Sequence, residues 1–234
     1  AQNSINELDR VPRGELVIAA NEATCIYVLP NVFSAYKKLF PNVQLLVDRS
    51  YGAHVVEAVI DNLADFGFTQ LPVQEKKLQV LPIYTDEIKM LAPANHPLAT
   101  VSSVSCQDVL PYPLLLPKTG STRSKMNQWL EPVDDLIQIS MELDSTEMIK
   151  RFVQAGMGIS FMAASHFQEG VQAGQFAAVS LAPEPLIRRL GLVYRKDKAL
   201  SKAGLGFIQS VMDRANVAPS DMALLAGVLP VGEI

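Results

Sequence analysis

The sequence predicts an α/β fold of two lobes joined by two strands, and three features lead to this prediction. Short β-prone runs alternate with helical patterns from residue 15 to residue 68. The alternation stops at residues 78–92, where two strand-like runs follow each other without a helix between them. It resumes over residues 114–162, and a β-prone run at 186–194 can carry the chain back to the first lobe. Alternating strands and helices favour parallel sheets with right-handed crossovers, so each lobe is expected to be Rossmann-like.

The elements of the first lobe follow from the spacing of apolar residues. Spacings of three and four predict two helices, with buried faces at Leu29, Val32, Phe33, Tyr36, Leu39 and Phe40 in the first and Val55, Val56, Val59 and Ile60 in the second. Pro41 is expected to end the first helix, because proline cannot donate a backbone hydrogen bond. The predicted order is a strand at 15–19, a helix up to Pro41, a strand at 44–47, a helix at 54–62 and a strand at 66–68.

The second lobe is predicted from the same alternation. Strands are expected at 114–116, 138–142 and 159–162, and helices are expected to begin at Ser121 and Ser145. Asp144 and Glu147 fit a capping box for the second of these helices. Its predicted buried residues are Met148, Ile149, Phe152 and Val153.

These elements predict a chain of four parts. Lobe I comprises residues 13–85 and 188–215 and ends in an amphipathic helix at 201–215, and lobe II comprises residues 86–187. Residues 1–12 are interpreted as the end of a linker. Residues 216–234 form a C-terminal tail that is apolar but shows no periodic pattern, so no structure is predicted for it.

Composition excludes several classes of protein. The net charge of −4 over 234 residues leaves no basic face large enough to neutralise many DNA phosphates, so this chain alone is not expected to bind DNA. No run of about 18 apolar residues is present, which argues against a transmembrane helix. Two cysteines and three histidines show no metal-ligand spacing, so neither a metal site nor a cofactor is expected.

Small polar turns follow the predicted strands in both lobes. They lie at 21–24, 49–52 and 69–70 in the first lobe and at 118–123 and 145–146 in the second. Ligands of open α/β sheets bind beyond the carboxyl ends of the strands, so facing lobes would bring these turns to one cleft. Lys118, Arg49 and Arg123 would favour an anionic ligand there. The alternative interpretation is that these residues are only helix caps and turn formers.

Several short motifs occur in an order that points to one family. They are Gly14, Leu16 and Ile18, then Leu29-Pro30, Phe40-Pro41-Asn42-Val43, Asp65-Phe66-Gly67-Phe68, Asp86-Glu87, His96-Pro97-Leu98 and the stretch from Val153 to Ser160. From Gly14 to about Ala215 the chain resembles the effector-binding domain of LysR-type transcriptional regulators. That domain shares its two-lobed architecture with type 2 periplasmic binding proteins.

The resemblance implies a role in bacterial transcription regulation. The family's winged helix-turn-helix and linker helix do not fit before Gly14, so DNA would be bound only through a part outside this sequence, with residues 3–10 as the linker's end. The resemblance further implies a cytoplasmic protein without enzyme activity that forms a dimer or tetramer. It also implies an interlobe pocket for a small metabolite, often a carboxylate, and ligand binding is expected to change the angle between the lobes.

Twelve residues are predicted to bind the effector. The resemblance implies contacts at six of them, Asn21, Thr24, Gly52, Thr69, Pro117 and Thr119, and the polar turns add Glu22, Arg49, Ser50, Ser121, Thr122 and Thr146. Asn21 and Gly52 stand where the family often has Ser or Thr. Glu22 would favour a ligand that carries an amine.

Two other functions remain open at this point. A periplasmic solute-binding protein would share the fold, and the first residue, Ala1, fits either a piece of a longer chain or a secreted chain whose signal was removed. An enzyme would need a proton-transfer residue, for which Glu22 is the one obvious candidate. Cys25 near a helix start could be an activated thiol, but a packed small residue is the simpler interpretation, as it is for Trp129 beside Met126 and Leu130.

Overall fold

The computed structural model describes residues 14–216 of the chain. The predicted linker end at 1–12 and all but the first residue of the predicted tail at 216–234 lie outside the described residues. Ten β-strands occur in the described part. They are β1 (Gly14–Ala20), β2 (Val43–Arg49), β3 (Phe66–Gln70), β4 (Leu78–Pro93), β5 (Ser103–Val104), β6 (Leu114–Pro117), β7 (Ile139–Leu143), β8 (Ser160–Ala163), β9 (Phe176–Leu181) and β10 (Leu186–Arg195).

Seven α-helices and three 3-10 turns connect the strands in the same residues. The helices are α1 (Glu22–Tyr27), α2 (Leu29–Leu39), α3 (Gly52–Ile60), α4 (Ser121–Leu130), α5 (Thr146–Gln154), α6 (Gln168–Gln172) and α7 (Lys202–Met212). The 3-10 turns are Pro97–Thr100, Glu131–Leu136 and Ala164–His166. None of the helices in residues 14–216 has the length and apolar character needed to cross a membrane.

The described chain forms two compact units. The second unit runs from Asp86 to Arg188, and the first unit comprises the described residues before and after it. Two strands, β4 and β10, pass from one unit into the other.

The sheet of the first unit has its strands in the order β2, β1, β3, β10. β1 pairs in parallel with β2 and β3, as the β-α-β-α-β pattern predicts, whereas β10 returns antiparallel to β3. Consecutive side chains of a strand point to opposite faces, so Phe66 and Phe68 pack with Tyr36 and Phe207 on one face. Gly67 lies on the other face, where Val55 of α3 packs directly against the backbone.

The second unit has a more antiparallel arrangement. β4 pairs antiparallel with β8 and β9, β5 pairs in parallel with β9, and β6 pairs in parallel with β7. One apolar core contains Ile88, Met126 and Phe161, and a second contains Leu115 and Phe176. The strands β5 and β9 and the helix α6 carry weak local patterns and were not predicted from the sequence.

The structure corrects several local predictions. The two strand-like runs, predicted at 78–83 and 87–92, form one continuous strand, β4, because residues 84–86 between them remain extended. The first predicted helix is two helices, which meet at Val28. Leu39, predicted to be buried, is 69% exposed because it is the last residue of α2.

The predicted capping box at the start of α5 is also wrong. The cap is Ser145, whose side chain accepts a hydrogen bond from the backbone N–H of Met148 at 3.2 Å. This places the helix one residue later than a cap at Asp144 would. Ile149 and Val153 are buried as predicted, whereas Met148 is 43% exposed.

Candidate functional site

The carboxyl ends of three parallel strands lie side by side in the first unit. Ala20, the last residue of β1, is in register with Arg49 of β2 and with Phe68 of β3. The backbone N–H of Ser50 extends this pairing by donating to the carbonyl of Ala20 at 2.9 Å. The predicted binding residues that follow these strands are therefore brought to one edge of the sheet.

Asn21 and Thr24 are joined at this edge by a helix cap. The Asn21 side-chain oxygen accepts a hydrogen bond from the Thr24 backbone N–H at 2.9 Å and so begins α1. The Thr24 side chain is buried, and its hydroxyl oxygen has no hydrogen-bond partner among the described residues. Asn21 thus has the capping role that the simpler interpretation gave it, and Thr24 keeps a polar atom unsatisfied.

Charged groups border the same edge. The guanidinium of Arg49 lies 3.8 Å from the Glu22 carboxylate, and the Arg49 side chain is 64% exposed. The Ser50 hydroxyl donates to the Asp48 carboxylate at 3.0 Å. Arg49 is therefore a loosely paired and accessible cation, whereas Ser50 already has a partner.

Gly52 and Thr69 complete the edge. Gly52 is the first residue of α3 and has a φ of +26°, a conformation that a residue with a side chain rarely adopts. Thr69 is 7% exposed and lies opposite Gly191 of β10. Five of the seven residues predicted in the first unit fall within two residues of a strand end. Gly52 lies three residues after the end of β2, and Thr24 is tied to the edge by the cap.

The second unit has a comparable edge at β6 and β7. Pro117 ends β6 in register with Leu143, and the backbone N–H of Lys118 donates to the Leu143 carbonyl at 2.8 Å. Gly120, with a φ of +97°, turns the chain into α4. The structure places Thr119, Ser121 and Thr122 in this turn and at the start of α4, and Thr146 is the first residue of α5.

Arg123 does not act as the free cation that the sequence suggested. Its guanidinium donates to the carboxylate of Glu142 and to the Pro117 carbonyl, the latter at 2.8 Å. Its Nε donates to the side chain of Asn127 at 2.8 Å, and the Arg123 side chain is 16% exposed. Arg123 therefore braces the β6–β7 edge, while Lys118 beside it is exposed.

A buried polar cluster in the second unit was not predicted from the sequence. His166 and Arg188 are 5% and 3% exposed, and the imidazole Nε2 lies 3.3 Å from a guanidinium nitrogen. Burial, with the charges of Arg188 and Lys150, holds the pKa of His166 well below its usual range. No sequence spacing relates His166 to Arg188, so nothing in the sequence indicated that they form a pair.

Cys25 and Trp129, which were considered for enzyme chemistry or ligand stacking, have packing roles in the structure. Cys25 packs against the core of the first unit, and burial raises the pKa of its thiol, so a stabilised thiolate at a helix start is not supported. Trp129 packs on Phe161 and donates its indole N–H to the Ala182 carbonyl at 2.9 Å. Over residues 14–216, no group of three or more His, Cys, Asp or Glu side chains could hold a metal ion.

The fold and its strand-end loops define a two-unit α/β domain of the ligand-binding type. Residues 9–216 match the family model of the LysR substrate binding domain, and the chain belongs to this family. The prediction made from the sequence motifs is confirmed.

Curated relatives of the chain are regulators of transcription. The chain is 29% identical over 214 residues to the uncharacterised HTH-type transcriptional regulator YeiE of Escherichia coli (strain K12). The matched residues cover 91% of this chain and 72% of the relative. The chain is 23% identical over 223 residues to a probable RuBisCO transcriptional regulator of Synechocystis, covering 92% of the chain and 65% of the relative. The chain thus spans about two thirds of the length of these relatives.

A solved structure of similar fold is the regulatory domain of CcmR from Synechocystis PCC6803 in complex with 2-PG. The two chains superpose with a TM-score of 0.77 at 20% sequence identity, over 87% of this chain and 98% of the CcmR domain. The α/β fold prediction is confirmed by this likeness. Because the relatives are regulators, neither an enzyme nor a transporter's solute-binding protein is favoured.

Proposed function

We propose that this chain binds a small anionic effector and, as part of a longer cytoplasmic regulator, controls DNA binding by an amino-terminal helix-turn-helix. The observation that supports this proposal is the register of β1, β2 and β3. It brings Asn21, Ser50 and Thr69 to one edge, where ligands of parallel sheets bind. The twelve residues predicted from the sequence are the proposed contacts.

The charges at these edges support an anionic ligand. Arg49 and Lys118 are exposed, and Arg49 is only loosely paired with Glu22. The 2-PG complex of the CcmR domain is a further reason to test small acids. The buried hydroxyl of Thr24 also supports a ligand near α1, because an unsatisfied buried hydroxyl costs about 1–3 kcal/mol and a ligand atom could satisfy it.

The first experiment is a thermal-shift screen of this chain with small carboxylates, phosphorylated acids including 2-PG, and amino acids. A ligand that binds the native state raises the melting temperature by mass action. We expect hits among the acids, and we expect the compound to be recovered chemically unchanged. A screen in which no class stabilises the chain would contradict the proposal.

Variants then test the edge residues. N21A and T119A are expected to reduce the shift produced by the hit, and K118Q and R49Q are expected to reduce it only for anionic compounds. S201A is the matched control for N21A, because Ser201 also caps a helix, α7, by accepting from the Gly204 N–H at 3.1 Å. K125Q is the control for charge. An equal ligand shift in N21A, T119A and the controls would overturn the site assignment.

We further propose that the chain pairs with a second copy. β2 lies at the end of the strand order in the first unit, and its exposed residues include Leu46 at 37% and Val47 at 46%. The strand β7 of the second unit exposes Ile139 at 40%. An exposed apolar edge strand is normally covered, and the side-by-side dimers of this family would cover both edges.

Light scattering after size-exclusion chromatography tests this pairing. V47K is expected to shift the chain towards a monomer, because it places a charge on the edge. L63K changes a leucine that is 70% exposed outside both edges and is the matched control. A dimer of unchanged stability in V47K would exclude the β2 edge as the interface.

A further inference from the structure

Two consecutive residues of one turn hold both of the strands that leave the second unit. The turn is Ala164–His166, directly after β8. The Ser165 hydroxyl donates to the Asp86 carboxylate at 2.6 Å, and the Ser165 backbone N–H reaches the same oxygen at 3.3 Å. His166 contacts Arg188 at 3.3 Å. Asp86 in β4 and Arg188 in β10 are the first and last residues of this unit.

The contact between His166 and Arg188 requires a neutral imidazole. A guanidinium has only donors, so the His166 Nε2 must accept and the ring proton must lie on Nδ1. Both side chains are almost completely buried, which protects this hydrogen bond from competition by water. The turn therefore holds β10 through a directional contact.

The same turn is attached to α5. The Lys150 ammonium donates to the His166 carbonyl at 3.0 Å and to the Glu147 carboxylate at 2.9 Å. Lys150 lies one turn after Thr146, the first residue of α5 and a proposed effector contact. Contacts thus run without a gap from the start of α5, through Lys150 and the turn, to both strands.

We propose that the turn Ala164–His166 transmits effector binding at the start of α5 to the two strands β4 and β10. This inference rests on the proposed function and adds the route by which the site is coupled to the rest of the regulator. A shift of α5 moves Lys150 and with it the His166 carbonyl. Because Ser165 and His166 are adjacent, both strands are then displaced together and not one at a time.

The test is hydrogen exchange of the chain without any effector. S165A and H166L each remove one anchor, and K150M removes the link to α5. We expect amide exchange at residues 85–88 and 187–190 to rise about tenfold or more in all three variants, since each loses a charge-assisted hydrogen bond. Exchange in β6 is expected to stay unchanged, because the bonds removed join the turn to Asp86, Arg188 and Lys150.

Matched variants separate the anchors from general loosening. H166Q keeps an acceptor for Arg188 and is expected to restore slow exchange at 187–190. S124A removes another serine hydroxyl, bonded to the Gly120 carbonyl at 3.3 Å, and K125M removes a lysine of α4; neither is expected to alter exchange in the two strands.

Wild-type exchange at both segments in S165A and H166L would overturn the inference. Wild-type exchange in K150M alone would overturn the link to α5. If H166L does not fold, S165A alone tests the inference, because it removes only one hydroxyl from a half-buried residue. The exchange experiment contains no effector, so its result does not depend on the ligand screen. If the screen succeeds but exchange is unchanged in the variants, the proposed coupling is wrong and the proposed function still stands.

Discussion

The guanidinium of Arg123 is hydrogen-bonded to the carboxylate of Glu142, which lies on the neighbouring strand β7. The same guanidinium holds the Pro117 carbonyl at the end of β6. One side chain therefore ties the start of α4 to the ends of both strands, and its charge is neutralised where the sequence suggested a ligand contact.

Loss of this brace is expected to lower stability. R123M should reduce the free energy of unfolding by about 1–2 kcal/mol, because the guanidinium is mostly buried while Glu142 remains half exposed. Urea unfolding measures the change, and K125M on the same helix is the control. Equal stability of R123M and the wild type would contradict a stabilising role for the hydrogen bonds of Arg123.

Gly67 is expected to tolerate no side chain. An added Cβ would lie 2.8 Å from a methyl carbon of Val55 and 2.9 Å from one of Val59. Both neighbours are β-branched and stiff, so G67A should destabilise the chain by about 1–3 kcal/mol. In G204A the new Cβ would meet its neighbours at 3.6 Å, an ordinary contact, and a helical Gly-to-Ala change there should be neutral or stabilising. Similar melting temperatures for the two variants would contradict this packing.

The stability of the chain is expected to fall as the pH drops below about 6.5, where an unfolded histidine takes up a proton. Burial holds the pKa of His166 well below its usual range, so the native state stays unprotonated while the unfolded state binds the proton. The contribution of His166 to the free energy of unfolding is therefore fully present at neutral pH. It decreases on acidification by at most about 1.4 kcal/mol per pH unit.

Urea midpoints between neutral pH and pH 5 measure this effect. H166Q should show a shallower decrease than the wild type. H54Q, which removes a histidine whose side chain is 72% exposed, is the control for the loss of a histidine. Parallel curves for the wild type and H166Q would contradict a neutral buried His166.

Cys25 is expected to react slowly with thiol reagents at neutral pH. Burial raises the pKa of its thiol, and the thiolate is the reacting form. In C106S, which leaves Cys25 as the one thiol, the rate with Ellman's reagent should be well below the rate of the same chain in urea and should rise with pH. Equal rates in the native and unfolded chain would argue for an activated thiol at the start of α1.

The strands and helices that could be predicted are those with strong local patterns. Phe66 and Phe68 alternate with Gly67, and Leu29, Val32 and Tyr36 recur at helical spacing, so β3 and the carboxyl end of α2 were predicted close to their observed bounds. Residues 84–86 carry no such pattern, and β4 was therefore predicted as two strands. In the structure these residues are extended and contact Asn216 and Ser165, which lie far away along the chain. Met148 and Leu39 fit the apolar spacing, but spacing does not reveal which residues of a helix lie beyond the part that packs on the core.

The order of the elements with strong local patterns, the family and the polar strand-end residues were predicted from the sequence alone, since each depends on residues that are close together along the chain. The tertiary structure decided which charges remain free and which side chains meet. Arg123 and Glu142 are 19 residues apart, His166 and Arg188 are 22 apart, and Asp86 and Ser165 are 79 apart. No local pattern encodes such pairs, because they arise only when strands and turns that are distant along the chain pack against one another.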